Sequence, residues 1–145
     1  MATVANEIKM GHNATIAHQR AIADLIVGLR ALYLAHAIDL EALPETDIDP
    51  GNPESKCPDL VLRDNLSFTV PIIIEVTTNF GYKTDLLKAK KLIDETAFGI
   101  EEAFIYNFES DTWYKYSKKG GIAEVQRSFS DILQLDLSQF IQPAR

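Results

Sequence analysis

Residues 58–77 read PDLVLRDNLSFTVPIIIEVT, two β-rich aliphatic runs separated by Asp64-Asn65-Leu66-Ser67. Turn-forming residues between runs of this kind predict an antiparallel hairpin with strands over residues 59–63 and 70–76. A turn centred near Ser67 sets Asp59 opposite Glu75, and the period of two along a strand places Val61 and Ile73 on the same face. Two carboxylates then stand side by side at the open end of the hairpin. Like charges directly opposed on a sheet repel unless a cation or a proton intervenes. Carboxylate oxygens with water suit Mg²⁺ or Mn²⁺, ions that take one or two carboxylates and keep several waters to meet a phosphate. On composition alone the plainer reading is that Asp59 opens a strand after Pro58 and Glu75 closes one at the solvent edge.

Upstream of the hairpin, Ile22, Leu25, Ile26, Leu29, Leu32 and Tyr33 follow helical spacing, which predicts an amphipathic helix over residues 14–35 capped by Asn13. Gly28 within it weakens the helix slightly or admits a close neighbour. A short strand is expected over 39–43, and Pro44, Pro50, Gly51, Asn52 and Pro53 then mark an exposed flap. Downstream, helical periodicity over 84–98 puts Leu86, Ala89, Ile93 and Ala97 on one face, with Gly99 as the stop. Residues 103–108 and 112–116 have the composition of a strand-turn-strand unit, and a further strand is expected near 123–127. The apolar residues of 130–141 fit neither period, which suggests a short helix or turn on the core. Helix, strands, helix and strands together predict a mixed α/β domain spanning residues 1–145.

The chain has 145 residues, 46% of them hydrophobic and 24% charged, enough for a core that needs neither metal nor disulfide. Its single cysteine, Cys57, forms no internal bridge, and the N-terminus lacks the pattern of a signal peptide, so a cytoplasmic protein is expected. No apolar run approaches the roughly 18 to 20 residues of a membrane helix, so no membrane partner is expected. A formal charge of −7 argues against a general polyanion binder, yet Lys83, Lys88, Lys90 and Lys91 form a dense basic cluster able to attract a phosphate backbone locally.

The string Pro58-Asp59-Leu-Val-Leu followed by Pro71-Ile-Ile-Ile-Glu75-Val-Thr77 resembles the active-site hairpin of the PD-(D/E)XK nuclease superfamily. More closely, the chain is similar to small stand-alone restriction-endonuclease-like proteins, a family expanded in cyanobacteria. Thr15-Ile-Ala-His18-Gln19 opening a leucine-rich helix, the Thr84-Asp85 step, Gly99-Ile-Glu-Glu-Ala-Phe-Ile-Tyr106 and Leu133-Gln-Leu-Asp-Leu-Ser-Gln-Phe140 resemble that family's segments in order. The resemblance implies a restriction-endonuclease-like fold, a central mixed β-sheet flanked by α-helices. It also implies metal-dependent DNA endonuclease activity, with Asp59, Glu75 and the Val76 carbonyl as metal ligands.

The superfamily carries a lysine two residues after the second acid, where this chain has Thr77. The smaller family uses a lysine on the following helix, for which Lys88, Lys90 and Lys91 compete. Counting back from Gly99 by the spacing that the resemblance implies favours Lys91, whereas angular position beside Leu86, Ile93 and Ala97 favours Lys90. His18 shares a helical face with Ile22, Leu25 and Leu29, either as an acid-base or supporting group beside the metal or as a core histidine. The competing function is a catalytically inactive binding or dimerisation module on the same fold. Exposed strand edges make a homodimer a further expectation.

Overall fold

A computed structural model describes residues 2–51, 57–123 and 127–143, and for residues 2–15 and 123 the backbone only. Helix α1 (Ala2–Leu34) leads into strands β1 (Glu41–Pro44), β2 (Leu60–Asp64) and β3 (Thr69–Thr77), then helix α2 (Tyr82–Glu95) and strands β4 (Glu102–Asn107), β5 (Thr112–Ser117) and β6 (Gly121–Ala123). A small ladder of β7 (Phe129–Ser130) and β8 (Leu135–Asp136) and a 3₁₀ turn (Leu137–Phe140) close the chain. The first six strands form one sheet in sequence order. Neighbours pair antiparallel except β3 and β4, which run parallel across the α2 crossover. This is a mixed α/β architecture, the class expected from the sequence.

The hairpin has the register read from its turn: Leu60 faces Ile74 and Val61 faces Ile73, which brings Asp59 level with Glu75. Asp64 makes the turn, its Oδ1 accepting the N–H groups of Leu66 and Ser67 at 2.8 and 3.2 Å. Alternation then sorts the sheet into two faces. Leu60, Leu62, Ile72, Ile74, Phe104 and Trp113 pack against Ile22, Leu25 and Leu29 of α1. Val61, Ile73, Ala103 and Ile105 pack against Leu86, Ala89, Leu92 and Ile93 of α2. Asp59 and Glu75 share the parity of Val61 and Ile73, so both acids belong to the α2 side.

Several expectations are corrected. Helix α1 begins at Ala2, so Asn13 lies inside it rather than capping it. Residues 2–13 contain no proline, and asparagine inside a helix costs less than about 0.7 kcal/mol. At the other end His36 adopts φ 59°, while its N–H reaches the Tyr33 carbonyl and the Ala37 N–H the Leu32 carbonyl, a Schellman stop built without glycine. Helix α2 starts two residues early and ends at Glu95, so Ala97 is outside it and exposed, and Leu92 joins the buried stripe instead. The expected flap is partly anchored, since Leu43 and Ile48 pack on the α2-side core, and its residues 52–56 lie outside the described residues. The strand expected near 123–127 begins at Gly121, and residues 124–126 are likewise outside the described set.

The C-terminal segment is held on the sheet by a buried polar cluster. Lys115 Nζ lies 3.1 Å from Glu102 Oε2 and 2.7 Å from Asp131 Oδ2, and Ser130 Oγ donates to Glu102 Oε1 at 2.6 Å. Among the described residues no helix is long and apolar enough to cross a membrane.

Gly28 admits the Phe140 ring against α1, where a Cβ would overlap the ring carbons. Gly28→Ala is therefore expected to destabilise the fold by about 1–3 kcal/mol through overpacking, although alanine adds up to about 1 kcal/mol of helix propensity. Urea unfolding measures the difference, and a stabilised variant would show that Phe140 yields without cost.

Candidate active site

Asp59 sits just before β2 and is fixed by its backbone at both ends. Its carbonyl accepts the Glu45 N–H at 3.0 Å, and its own N–H donates to Glu75 Oε1 at 3.1 Å. In return the Val76 N–H donates to Asp59 Oδ2 at 2.8 Å. Each acid thus takes a backbone donor from the strand that carries the other. His18 Nε2, reaching across from α1, stands 3.0 Å from the same Asp59 Oδ2. Hydrogen bonding to Asp59 raises the His18 pKa, opposed by partial burial, and the Asp59 charge raises it further.

Glu75 is mostly enclosed beside a cleft of about 120 Å³ whose lining includes Cys57, Pro58, Glu75, Asp85, Lys88 and Leu92. Burial, and then the charges of Asp59 and Asp85, push the Glu75 carboxyl up to about 8, while Lys88 pulls the other way. Burial likewise raises Asp85, partly offset by a hydrogen bond from the Thr77 hydroxyl and by Lys88. Partial desolvation and the surrounding acids push the exposed Cys57 thiol up as well.

The structure therefore brings His18, Asp59 and Glu75 together, with Val76 contributing its N–H to Asp59. Of the competing lysines it brings Lys88 to the cleft. Lys90 is turned to the far flank of α2, where its amine bonds Asp94 Oδ2 at 2.8 Å and lies 5.6 Å from the centre of the Tyr116 ring. Lys91 is exposed and does not line the cleft. At about 100° per residue, Lys88 and Lys90 fall on opposite sides of the buried stripe and Lys91 on its back. Asp85 escaped the reading of chemistry from sequence, although an acid in the first turn of the helix that follows Glu75 was a usable signal. Thr77 supports Asp85, and Gly81 leaves room for it, because a Cβ there would collide with Thr77 Oγ1.

Among the described residues no three His, Cys, Asp or Glu side chains converge in a cage for a metal. A divalent ion here would be held by the paired carboxylates, backbone and water, as Mg²⁺ commonly is, and its charge answers the surplus of acids around Glu75.

No family model and no curated protein matches the chain. Among solved structures, the chain is similar to a protein from Anabaena variabilis described as a putative nuclease belonging to DUF820. The TM-score is 0.58 at 11% identity, over 86% of this chain and 79% of that one. At this identity the likeness is one of fold, and the fold is nuclease-like.

Asp59→Asn removes a like charge near Glu75 and the negative charge that His18 pairs with, while keeping a side-chain oxygen that can accept a hydrogen bond. In chelator-treated protein the variant is expected to lower the pKa of Glu75 and of His18 together, followed by NMR titration of the carboxyl and imidazole signals. An unmoved Glu75 would mean that the acids do not share one field.

Proposed function

We propose that the protein is a metal-dependent endonuclease that hydrolyses DNA phosphodiester bonds with Mg²⁺ or Mn²⁺, the ion being held by Asp59, Glu75 and the Val76 carbonyl. The observation that carries this reading is the exchange of backbone hydrogen bonds that pairs Asp59 with Glu75, at the edge of a cleft that Glu75, Asp85 and Lys88 line. In-line hydrolysis needs a water deprotonated near neutral pH and relief of the negative charge that builds on the phosphorane. When bound, a divalent ion supplies the activated water and most of that charge relief. The nuclease-like fold supports the same reading.

The chain's own residues do the rest. Lys88 is the cation at the cleft that would face a phosphate oxygen, the role expected of Lys90 or Lys91 from the sequence. His18 is a positioning residue: its Nε2–H donates to Asp59 Oδ2, so that the Asp59 carboxylate holds one orientation. Asp85, steadied by Thr77, adds negative charge that favours a cation beside Glu75. A specific observation favours the competing reading of an inactive binding or dimerisation module, because the superfamily's lysine position is Thr77 and its hydroxyl is committed to Asp85.

Calorimetric titration with Mn²⁺ and Mg²⁺, followed by nicking of supercoiled plasmid, separates the two. Wild type is expected to bind metal and nick. Asp59→Ala should lose both while keeping its circular dichroism spectrum, and Lys88→Ala should slow nicking by about a hundredfold or more. Lys90→Ala should nick like wild type. Wild-type protein that binds neither ion would overturn the nuclease reading and leave the module.

A further inference from the structure

Phe80 is 99% exposed, the most exposed large apolar side chain among the described residues. A lone apolar side chain in water is common and means little by itself. Three features set this one apart.

The first is position. Phe80 lies five residues after Glu75 and five before Asp85, in the loop that joins the acid-bearing strand to the helix carrying Lys88. By chain reach its Cα is within about 18 Å of the Cα atoms of both acids. The second is rigidity. The Asn79 N–H donates to Glu109 Oε1 at 2.8 Å, the Asn79 Oδ1 accepts from Asn107 Nδ2 at 2.8 Å, and the Thr78 carbonyl accepts the N–H groups of Gly81 and Tyr82 at 3.1 and 3.2 Å. Asn107, the root of this arrangement, is 1% exposed. The ring therefore projects from a backbone tied down on both sides, and little ordering remains to be done on binding.

The third is chemistry. The neighbouring aromatic, Tyr82, is already stacked on Tyr114 with ring centres 4.9 Å apart and planes within 8°. Lys83 Nζ stands 5.9 Å from the Tyr82 ring centre, next along the chain from it, and Lys88 follows at the cleft. An open phenyl face in the loop that leads into the lysine-bearing helix matches a nucleotide with its base unpaired: the base covers the ring and the phosphates run toward the lysines. In an intact duplex both faces of each base are already stacked, and the charge of −7 repels the denser duplex charge more strongly.

We infer that Phe80 is a stacking platform for an unpaired nucleobase next to the scissile phosphate, so that the protein prefers single-stranded or locally opened DNA to intact duplex. The inference rests on the phosphodiesterase reading of the Asp59 and Glu75 cleft.

Fluorescence anisotropy tests it, with a short labelled oligonucleotide measured single-stranded and as a blunt duplex, in Ca²⁺, on wild type, Phe80→Ala and Phe80→Trp. Phe80→Ala is expected to melt like wild type, to weaken single-strand binding by about tenfold or more, and to leave duplex binding within about twofold. Phe80→Trp should keep single-strand affinity and show indole quenching on binding that wild type lacks. Phe80→Ala binding the single strand like wild type overturns the inference, as does an equal loss for strand and duplex, or wild type binding neither. A wild-type dimer in sedimentation that dissociates in Phe80→Ala also overturns it, by assigning the ring to contact between copies. Plasmid nicking with Phe80-independent binding sinks only the stacking platform. Phe80-dependent single-strand binding without cleavage in Mg²⁺ or Mn²⁺ supports the platform and sinks the nuclease reading.

Discussion

The open end of the β2–β3 hairpin is held by an exchange in which the Asp59 N–H bonds the Glu75 carboxylate and the Val76 N–H bonds the Asp59 carboxylate. Two unit charges about 4 Å apart repel by roughly 4 kcal/mol at an effective dielectric of about 20. A hydrogen bond to a charged group contributes on the order of 1.5–3 kcal/mol. The exchanged bonds are therefore comparable to the repulsion they oppose and leave little surplus for burying Glu75. That shortfall appears as a carboxyl that holds its proton to about pH 8. On the proposed function, a bound cation would relieve it in another way.

Everything around the hairpin serves to keep that arrangement in place. Helix α1 covers one face of the sheet and sends His18 over the edge to the Asp59 carboxylate. Helix α2 covers the other and delivers Asp85 and Lys88, one turn apart, to the same cleft. The Phe108 N–H bonds the Thr77 carbonyl at 3.0 Å, so the end of β4 steadies the strand exit beyond Glu75. Distant from this, the Glu102, Lys115 and Asp131 cluster pins the C-terminal ladder to the sheet. Lys115 is itself 5.5 Å from the Phe104 ring centre, so a cation is lodged against the core with its charge answered twice.

On the proposed function, the loop between β3 and α2 would link structure to substrate. It must turn sharply enough for Gly81 to clear the Thr77 hydroxyl, and it must be rigid enough for Asp85 to return beside Glu75. Those demands fix its backbone through Asn79 and Asn107, and the large apolar side chain they leave in water is Phe80. A stiff loop beside an acidic cleft is thus a natural place for a residue that meets the substrate rather than the core.

The acid pair was legible in the sequence because strand geometry repeats every two residues and a turn centred on Ser67 sets the register. His18 was legible for a similar reason: its spacing to Ile22, Leu25 and Leu29 placed it on the inward face of α1. The cation was not. Which flank of α2 looks toward the cleft depends on the rotation of that helix about its own axis, and with Leu86, Ala89, Leu92 and Ile93 buried, exposed Lys88 borders the cleft while Lys90 meets Asp94 and Tyr116. The start of α1 was also hidden, since a helix with no proline upstream continues past a good capping residue. Periodicity along one element determines which face a residue occupies. Only contacts between elements decide where that face points, because they alone fix rotation and reach, and so the acids belonged to the sequence while Lys88, Asp85 and the poise of Phe80 belonged to the fold.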